Sequence, residues 1–190
     1  EGSTCDNSGT SYIGNNTAYA SGSGSVLNFL PGTVISSKGV AAVYTLAVGG
    51  VNSGGSIPGA GATVHAKGDL TVNGNAQGST RSIFIYSGTD AGGKRNLLQI
   101  DGNLTATRTG GLYGAVIENT GGDLLVAGKT SLTSNVSDAL RNGWDANSTF
   151  RGSTSINVSG SNGISQSGGT VNFNGDLTIK IGRASCRERV

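Results

Sequence analysis

The sequence predicts an all-β chain wound as a parallel β-helix, a solenoid of short strands with coils of about 22–26 residues. Three observations carry that expectation. A phrase reading apolar-x-apolar-x-Gly, then a small or polar residue, then Leu or Thr, occurs at 64–71, 98–105, 124–130, 149–154 and 171–178, the fourth copy lacking its first apolar residue. Its anchor glycines, Gly68, Gly102, Gly128, Gly152 and Gly175, lie 34, 26, 24 and 23 residues apart. A second series, leading from apolar residues to Gly88, Gly121, Gly143 and Gly168, runs out of phase with steps of 33, 22 and 25 residues. Both series share the long first step, which one insertion within 88–96 explains. Inside each unit apolar and polar residues alternate with period two, the pattern of a strand with one buried face.

Composition alone leaves a disordered linker open, with 34 Gly, two Pro and 13% charged residues in 190. The recurrent Val, Ile, Leu and Thr argue against it, because the glycines stand at the ends of these runs. There they are expected to supply the positive φ of tight corners. Helix is nearly excluded, since no window carries an apolar stripe at 3.6 spacing; only 137–142 offers a turn of one.

Along the chain, residues 1–25 carry weak strand signals around Tyr12 and Ile13 and read as a degenerate first coil or a disordered segment. From Val26 the pattern sharpens: a strand at 26–30, a Pro31-Gly32 turn, a strand at 33–35, then the apolar run 40–48. That run is far shorter than the roughly 20 residues of a membrane-spanning helix and reads as a buried strand. A loop with Pro58 follows at 49–61, and regular coils extend from Ala62 to Ile181, interrupted near 88–96 and 142–148. The domain is therefore set at 26–182. Ile100, Val126, Phe150 and Phe173 are expected to stack inward, and Gln99, Arg151 and Asn172 to face water.

The last eight residues, 183–190, break both composition and repeat. They resemble translated vector or adapter sequence and are set apart from the functional reading. They hold three of the 13 basic and one of the 11 acidic residues, so the remaining body has ten of each. No basic face argues for nucleic acid or anionic lipid. The start at Glu1 and the lack of Met suggest an internal piece of a longer protein. Cys5 and Cys186 sit at opposite ends, about 40 Å apart in a rod of about eight coils, too far to pair.

The chemical motifs are sparse. Residues 88–95 approximate a phosphate-binding loop, but Arg95 stands where Ser or Thr should hold magnesium and a strand follows instead of a helix, so the stretch reads as the inserted loop. His65 is the only histidine and alternates outward, which excludes a His-based metal site. Asp69, Asn103 and Asp176 follow anchor glycines and could line one face; turn formation explains them more simply than catalysis, which needs two carboxylates at a defined separation. The Gly-Gly-x-Gly-x-Asp calcium nonapeptide and the EF-hand loop are absent. Five Asn-x-Ser/Thr sites, at Asn15, Asn103, Asn135, Asn147 and Asn157, are close to what composition produces. Trp144, the single tryptophan, lies in a loop and is either a ligand contact or a cap over the coil edge. No catalytic residue, metal or cofactor is expected.

The Gly-Asp/Asn-Leu-Thr phrase, in Gly68-Asp69-Leu70-Thr71-Val72 and Gly175-Asp176-Leu177-Thr178-Ile179, together with the stretches 114–119 and 162–169, resembles passenger-domain repeats of bacterial autotransporters over about residues 26–181. The resemblance implies a right-handed parallel β-helix, borne on the surface of a Gram-negative cell by a C-terminal barrel outside this sequence. It also implies an adhesive or structural role, with a glycan or protein of a host or neighbouring cell as partner. Self-association through the solenoid ends is a further expectation. Two alternatives stay open: a polysaccharide lyase or hydrolase, marked by a groove with two acids within about 10 Å, and a phage or extracellular fibre, marked by trimeric association.

Overall fold

The computed structural model describes residues 4–7, 12–13, 26–37, 44–49, 61–74, 81–110, 114–135, 138–160 and 163–182. The tail 183–190, the Pro58 loop, the start of the apolar run at 40–43 and the Cys5–Cys186 question lie outside them. Among the described residues the chain forms nineteen strands and no helix. Two short strands come first, β1 (Thr4–Asn7) and β2 (Tyr12–Ile13). Three-strand coils follow: β3 (Val26–Phe29), β4 (Thr33–Ser37) and β5 (Tyr44–Val48); β6 (Thr63–Ala66), β7 (Leu70–Gly74) and β8 (Arg81–Ile85); β9 (Leu97–Ile100), β10 (Leu104–Arg108) and β11 (Ile117–Asn119). The series continues as β12 (Asp123–Val126), β13 (Thr130–Ser134) and β14 (Leu140–Asn142), then β15 (Asn147–Phe150), β16 (Thr154–Val158) and β17 (Ile164–Gln166), and closes with β18 (Thr170–Phe173) and β19 (Leu177–Ile181).

Every third strand pairs, always in parallel. The first sheet runs β1-β4-β7-β10-β13-β16-β19, the second β2-β5-β8-β11-β14-β17 and the third β3-β6-β9-β12-β15-β18. The chain is thus a parallel β-helix with three faces around one core. The one stretch that offered a helical turn is instead β14 over Leu140–Asn142, because Leu140 is drawn into the core beside Ile117 and Ile164.

Register shows how the alternation is used. On the first sheet, Ile35, Val72, Ala106, Leu132, Ile156 and Ile179 form one inward column. On the third, Phe29, Ala66, Ile100, Val126, Phe150 and Phe173 form another. Phe150 and Phe173 stack with ring centroids 5.2 Å apart and planes 9° from parallel. Gln99 is half-exposed, and Arg151 and Asn172 are exposed, as alternation requires.

The corners explain the uneven period. From the third sheet to the first, each connection has three residues, at 30–32, 67–69, 101–103, 127–129, 151–153 and 174–176. From the second sheet to the third, the connection is 86–96 in one coil but only 120–122, 143–146 and 167–169 in the next three. The insertion therefore sits at one corner, between β8 and β9. The loop expected over 142–148 shrinks to the corner 143–146, because Asn142 ends β14 and Asn147 begins β15.

The anchor glycines occupy the middle of the constant three-residue corner, but not for the expected reason. Positive φ occurs at Gly32, Gly49, Gly61, Gly88, Gly93, Gly110, Gly114 and Gly169, and not at any of the five anchors. The anchors are required by close approach. A Cβ on Gly68 would stand 2.6 Å from Pro31, one on Gly128 2.5 Å from the Gly102 carbonyl oxygen, and one on Gly175 2.6 Å from the Gly152 backbone. The amides of Gly102 and Gly128 donate to the carbonyls of Gly68 and Gly102, at 3.2 and 2.9 Å. Successive corners stack backbone on backbone, and a side chain there would part them.

Candidate functional site

The residues following the anchor glycines do line up, as a structural ladder. The Asp69 carboxylate accepts from the Asn103 amide at 2.7 Å, and the Asn103 side-chain oxygen accepts from the Lys129 amide at 2.8 Å. Asp69 and Asn103 thereby each tie down the corner of the next coil. Asp176 shares a shallow groove of about 380 Å³ on the first sheet with Lys129. Ser153 lies between them in the column, which puts them two rungs, about 10 Å, apart. Below the corner, this face carries outward hydroxyls in register at Thr71, Thr105, Ser131, Ser155 and Thr178.

His65 faces outward, as its alternation requires, and meets Asp101 of the next coil at 2.7 Å. Gln99 donates to the other Asp101 oxygen at 2.9 Å. Those two bonds, from Gln99 first and then His65, hold the Asp101 carboxyl below its usual range. Asp69, Asp101 and Asp176 therefore lie at the same corner of the solenoid but in different coils, the first two in adjacent coils and Asp176 three coils beyond Asp101. Among the described residues, no three His, Cys, Asp or Glu side chains gather as a metal set.

Two polar clusters were not legible in the sequence. The first fills the outer face of the second sheet. Arg81 donates to Glu118 at 2.7 Å, Arg141 approaches the same carboxylate at 3.4 Å, and Arg141 also donates to Asp138 at 2.7 Å. Tyr44, Phe84 and Tyr86 pack beside them, and the Arg81 guanidinium lies 5.8 and 5.3 Å from the Tyr44 and Phe84 ring centres. Burial acts to lower the Arg81 pKa, but the hydrogen bond and charge of Glu118, with help from Tyr44 and Tyr86, outweigh it and hold it above its ordinary value. Arg108, buried at the end of β10 between Gly74 and Ser134 in register, is shifted the other way. Burial and then the repulsion of Arg81 and Arg141 lower it, opposed by Asp138.

The second cluster replaces apolar residues inside the core. Asn119 and Asn142 follow Val48 and Ile85 in the inward column of the second sheet, and both are fully buried. Asn119 accepts from the Gly122 amide at 2.9 Å and donates to the Gly122 carbonyl at 3.0 Å. Asn142 donates to the Ala146 carbonyl at 3.0 Å and accepts from the Ser148 hydroxyl at 2.8 Å. These amides satisfy the backbone of the tight corners that follow, where no strand partner is available.

Those tight corners border the most site-like feature of the described surface. The inserted loop 86–96 folds back through a bridge between Thr89 and Arg95, with the Asp90 carboxylate accepting from the Gly92 and Lys94 amides at 2.9 and 2.8 Å. This hairpin-like closure confirms the stretch as an inserted loop leading into β9. Arg95 then reaches down the corner. It donates to the Gly121 carbonyl at 2.7 Å and to the Asp145 carbonyl, and lies 3.4 Å from the Asp123 carboxylate. A pocket of about 450 Å³ opens there, lined among others by Ser87, Thr89, Arg95, Asp145 and Asn147, with Trp144 on its wall. Trp144 is 79% exposed, so it does not cap the coil edge. Its backbone is held against the next corner, where a Cβ on Gly168 would stand 2.7 Å from the Trp144 Cα.

No protein-family model matches the sequence, and no curated protein or solved structure matches it.

Proposed function

We propose that this chain is a non-catalytic structural and adhesive segment of a surface-displayed bacterial passenger domain of the autotransporter type, working outside the cell. The observation that supports this reading best is the unbroken in-register stacking of coils, in which one outward column of the first sheet repeats a small polar residue, Thr105, Ser131, Ser155 and Thr178, at about 4.8 Å. Such a body is built by adding coils, one on another, and suits a chain that crosses a membrane unfolded and then winds up. Its partner is a glycan or protein of a host or neighbouring cell, since ten basic residues against ten acidic ones in the body give no charge excess that would favour nucleic acid. Among the described residues, β19 leaves Leu177, Ile179 and Ile181 exposed, an apolar row that favours end-to-end stacking of chains.

The test is display of residues 1–190 ahead of a translocating barrel on a Gram-negative cell. The reading expects protease-accessible display and retention on glycan- or cell-coated surfaces above a barrel-only control. Failure of the chain to reach the surface would overturn it.

The alternative of a polysaccharide-active enzyme is favoured by one observation, the sharing of Arg141 by the Glu118 and Asp138 carboxylates. Both acids are buried and the Glu118 carboxylate is closed in by two guanidinium groups, an arrangement suited to holding a sheet face together. Release of reducing ends or unsaturated products from polysaccharide, abolished in Glu118→Gln, would establish the enzyme instead.

A further inference from the structure

We infer that the corner pocket between the inserted loop 86–96 and Trp144 is a binding site for a neutral saccharide. This deepens the adhesive reading above and rests on it. The first argument is placement. In a stacked-repeat protein, insertions that leave the repeat intact project as loops on one face, commonly the face that binds. Here the long connection 86–96 and the Trp144 corner 143–146 belong to different coils, yet both stand at the junction of the second and third sheets and wall one pocket.

The second argument is rigidity. Arg95 spans from its own coil to Gly121 in the next and Asp145 in the one after, and Asn147 donates to Asp123 at 3.0 Å. Three coils are thus locked together around the opening, and binding there requires little ordering.

The third argument is chemical. A Trp 79% exposed on a well-fixed corner offers an aromatic face that gains by covering. Ser87, Thr89, Asp145 and Asn147 line the same pocket, and these residues carry hydroxyl, carboxylate and amide groups. The one guanidinium, Arg95, is occupied by backbone carbonyls and faces Asp123, so the pocket has no spare cation for a phosphate or sulfate. An apolar face edged by hydroxyl-bonding groups, with no cation to spare, is the complement of a pyranose ring. The volume, about 450 Å³, falls within the roughly 300–1,000 Å³ of small-ligand sites.

Trp144 is the only tryptophan in the chain, so tryptophan emission, excited selectively over the five tyrosines, reports this pocket alone. The experiment titrates residues 1–190 with cellohexaose, maltohexaose and mannohexaose, and with a heparin hexasaccharide as anionic comparator. It follows Trp144 emission and its protection from acrylamide. The inference expects saturable blue-shift and protection with at least one neutral probe. It also expects affinity, read by calorimetry, about tenfold weaker in Trp144→Ala and partly kept in Trp144→Phe. A response to heparin alone, or to none of the four probes, overturns it. Neutral-probe binding unchanged in Trp144→Ala would place glycan binding elsewhere and sink this site while leaving the adhesive reading in place. Cleavage of a probe would instead sink the non-catalytic reading.

Discussion

A Cβ placed on Gly128 would stand 2.5 Å from the carbonyl oxygen of Gly102, with the backbone of a stacked corner behind it and nowhere for either to move. Gly92 is also a loop glycine, but it lies in the exposed tip of the insertion, where an added Cβ meets only the Asp90 carboxylate at 3.3 Å. Gly128→Ala should therefore destabilise the chain by about 1–3 kcal/mol, and Gly92→Ala should fall within about 0.5 kcal/mol of the parent. Urea denaturation of the two variants separates a glycine needed for approach from one that is dispensable. At Asp101 the issue is charge. Its folded-state pKa is depressed by Gln99 and His65, so the stability it lends is present above the unfolded value of about 3.9 and is lost as pH falls through the lower folded value. The thermal midpoint of the parent should exceed that of Asp101→Ala at pH 6, and the difference should shrink as the pH is lowered through the acid range and the Asp101 carboxylate is protonated.

The insertion between β8 and β9 behaves as an element added to the coil without entering its register. Leu97 pairs with Asp123 on one side and with Thr63 on the other, regardless of what lies between. Deleting 88–95 leaves Tyr86, Ser87 and Asn96, a connection as short as 120–122, with the buried Asn96 retained. The far-UV circular dichroism of that variant should match the parent, while the response of Trp144 to saccharides disappears. Loss of the β signal would show that the loop is part of the fold. Sequence reading found this insertion because it disturbed two glycine series by the same amount. It missed the Arg81–Glu118–Arg141–Asp138 network because those residues are spread over 60 positions, and only stacking in the second sheet brings Arg81, Glu118 and Arg141 together. The buried Asn119 and Asn142 left a fainter signal. Each stands at the end of its unit in the second glycine series, where alternation calls for an apolar side chain, and nothing in a polar, Asn-rich sequence marks them as inward. The positive φ expected of the anchors failed for a related reason: sequence shows where glycine recurs, and the next coil decides why.

At the scale of the molecule, stability accumulates through contacts between neighbouring coils, so equal substitutions should cost less toward an uncovered end. Ile156 and Ile179 are register partners in one inward column, the first fully buried and the second 42% exposed. Ile156→Ala should cost about 2–5 kcal/mol, and Ile179→Ala less than half as much. Equal costs would mean that the last coil is covered in solution. The stacking register underlies all of these contacts between coils, and cross-linking reads it most directly. With Cys5 and Cys186 replaced by Ser, Thr133→Cys paired with Asn157→Cys places two outward thiols on Cα partners of adjacent rungs. Their Cα atoms are about 4.8 Å apart, inside the range a disulfide accepts. Ser131→Cys paired with Asn157→Cys is offset by two residues and stands at about 8 Å, outside it. Mild oxidation should close the first pair within one chain and leave the second open. Closure of the offset pair in preference to the matched one would contradict the parallel solenoid.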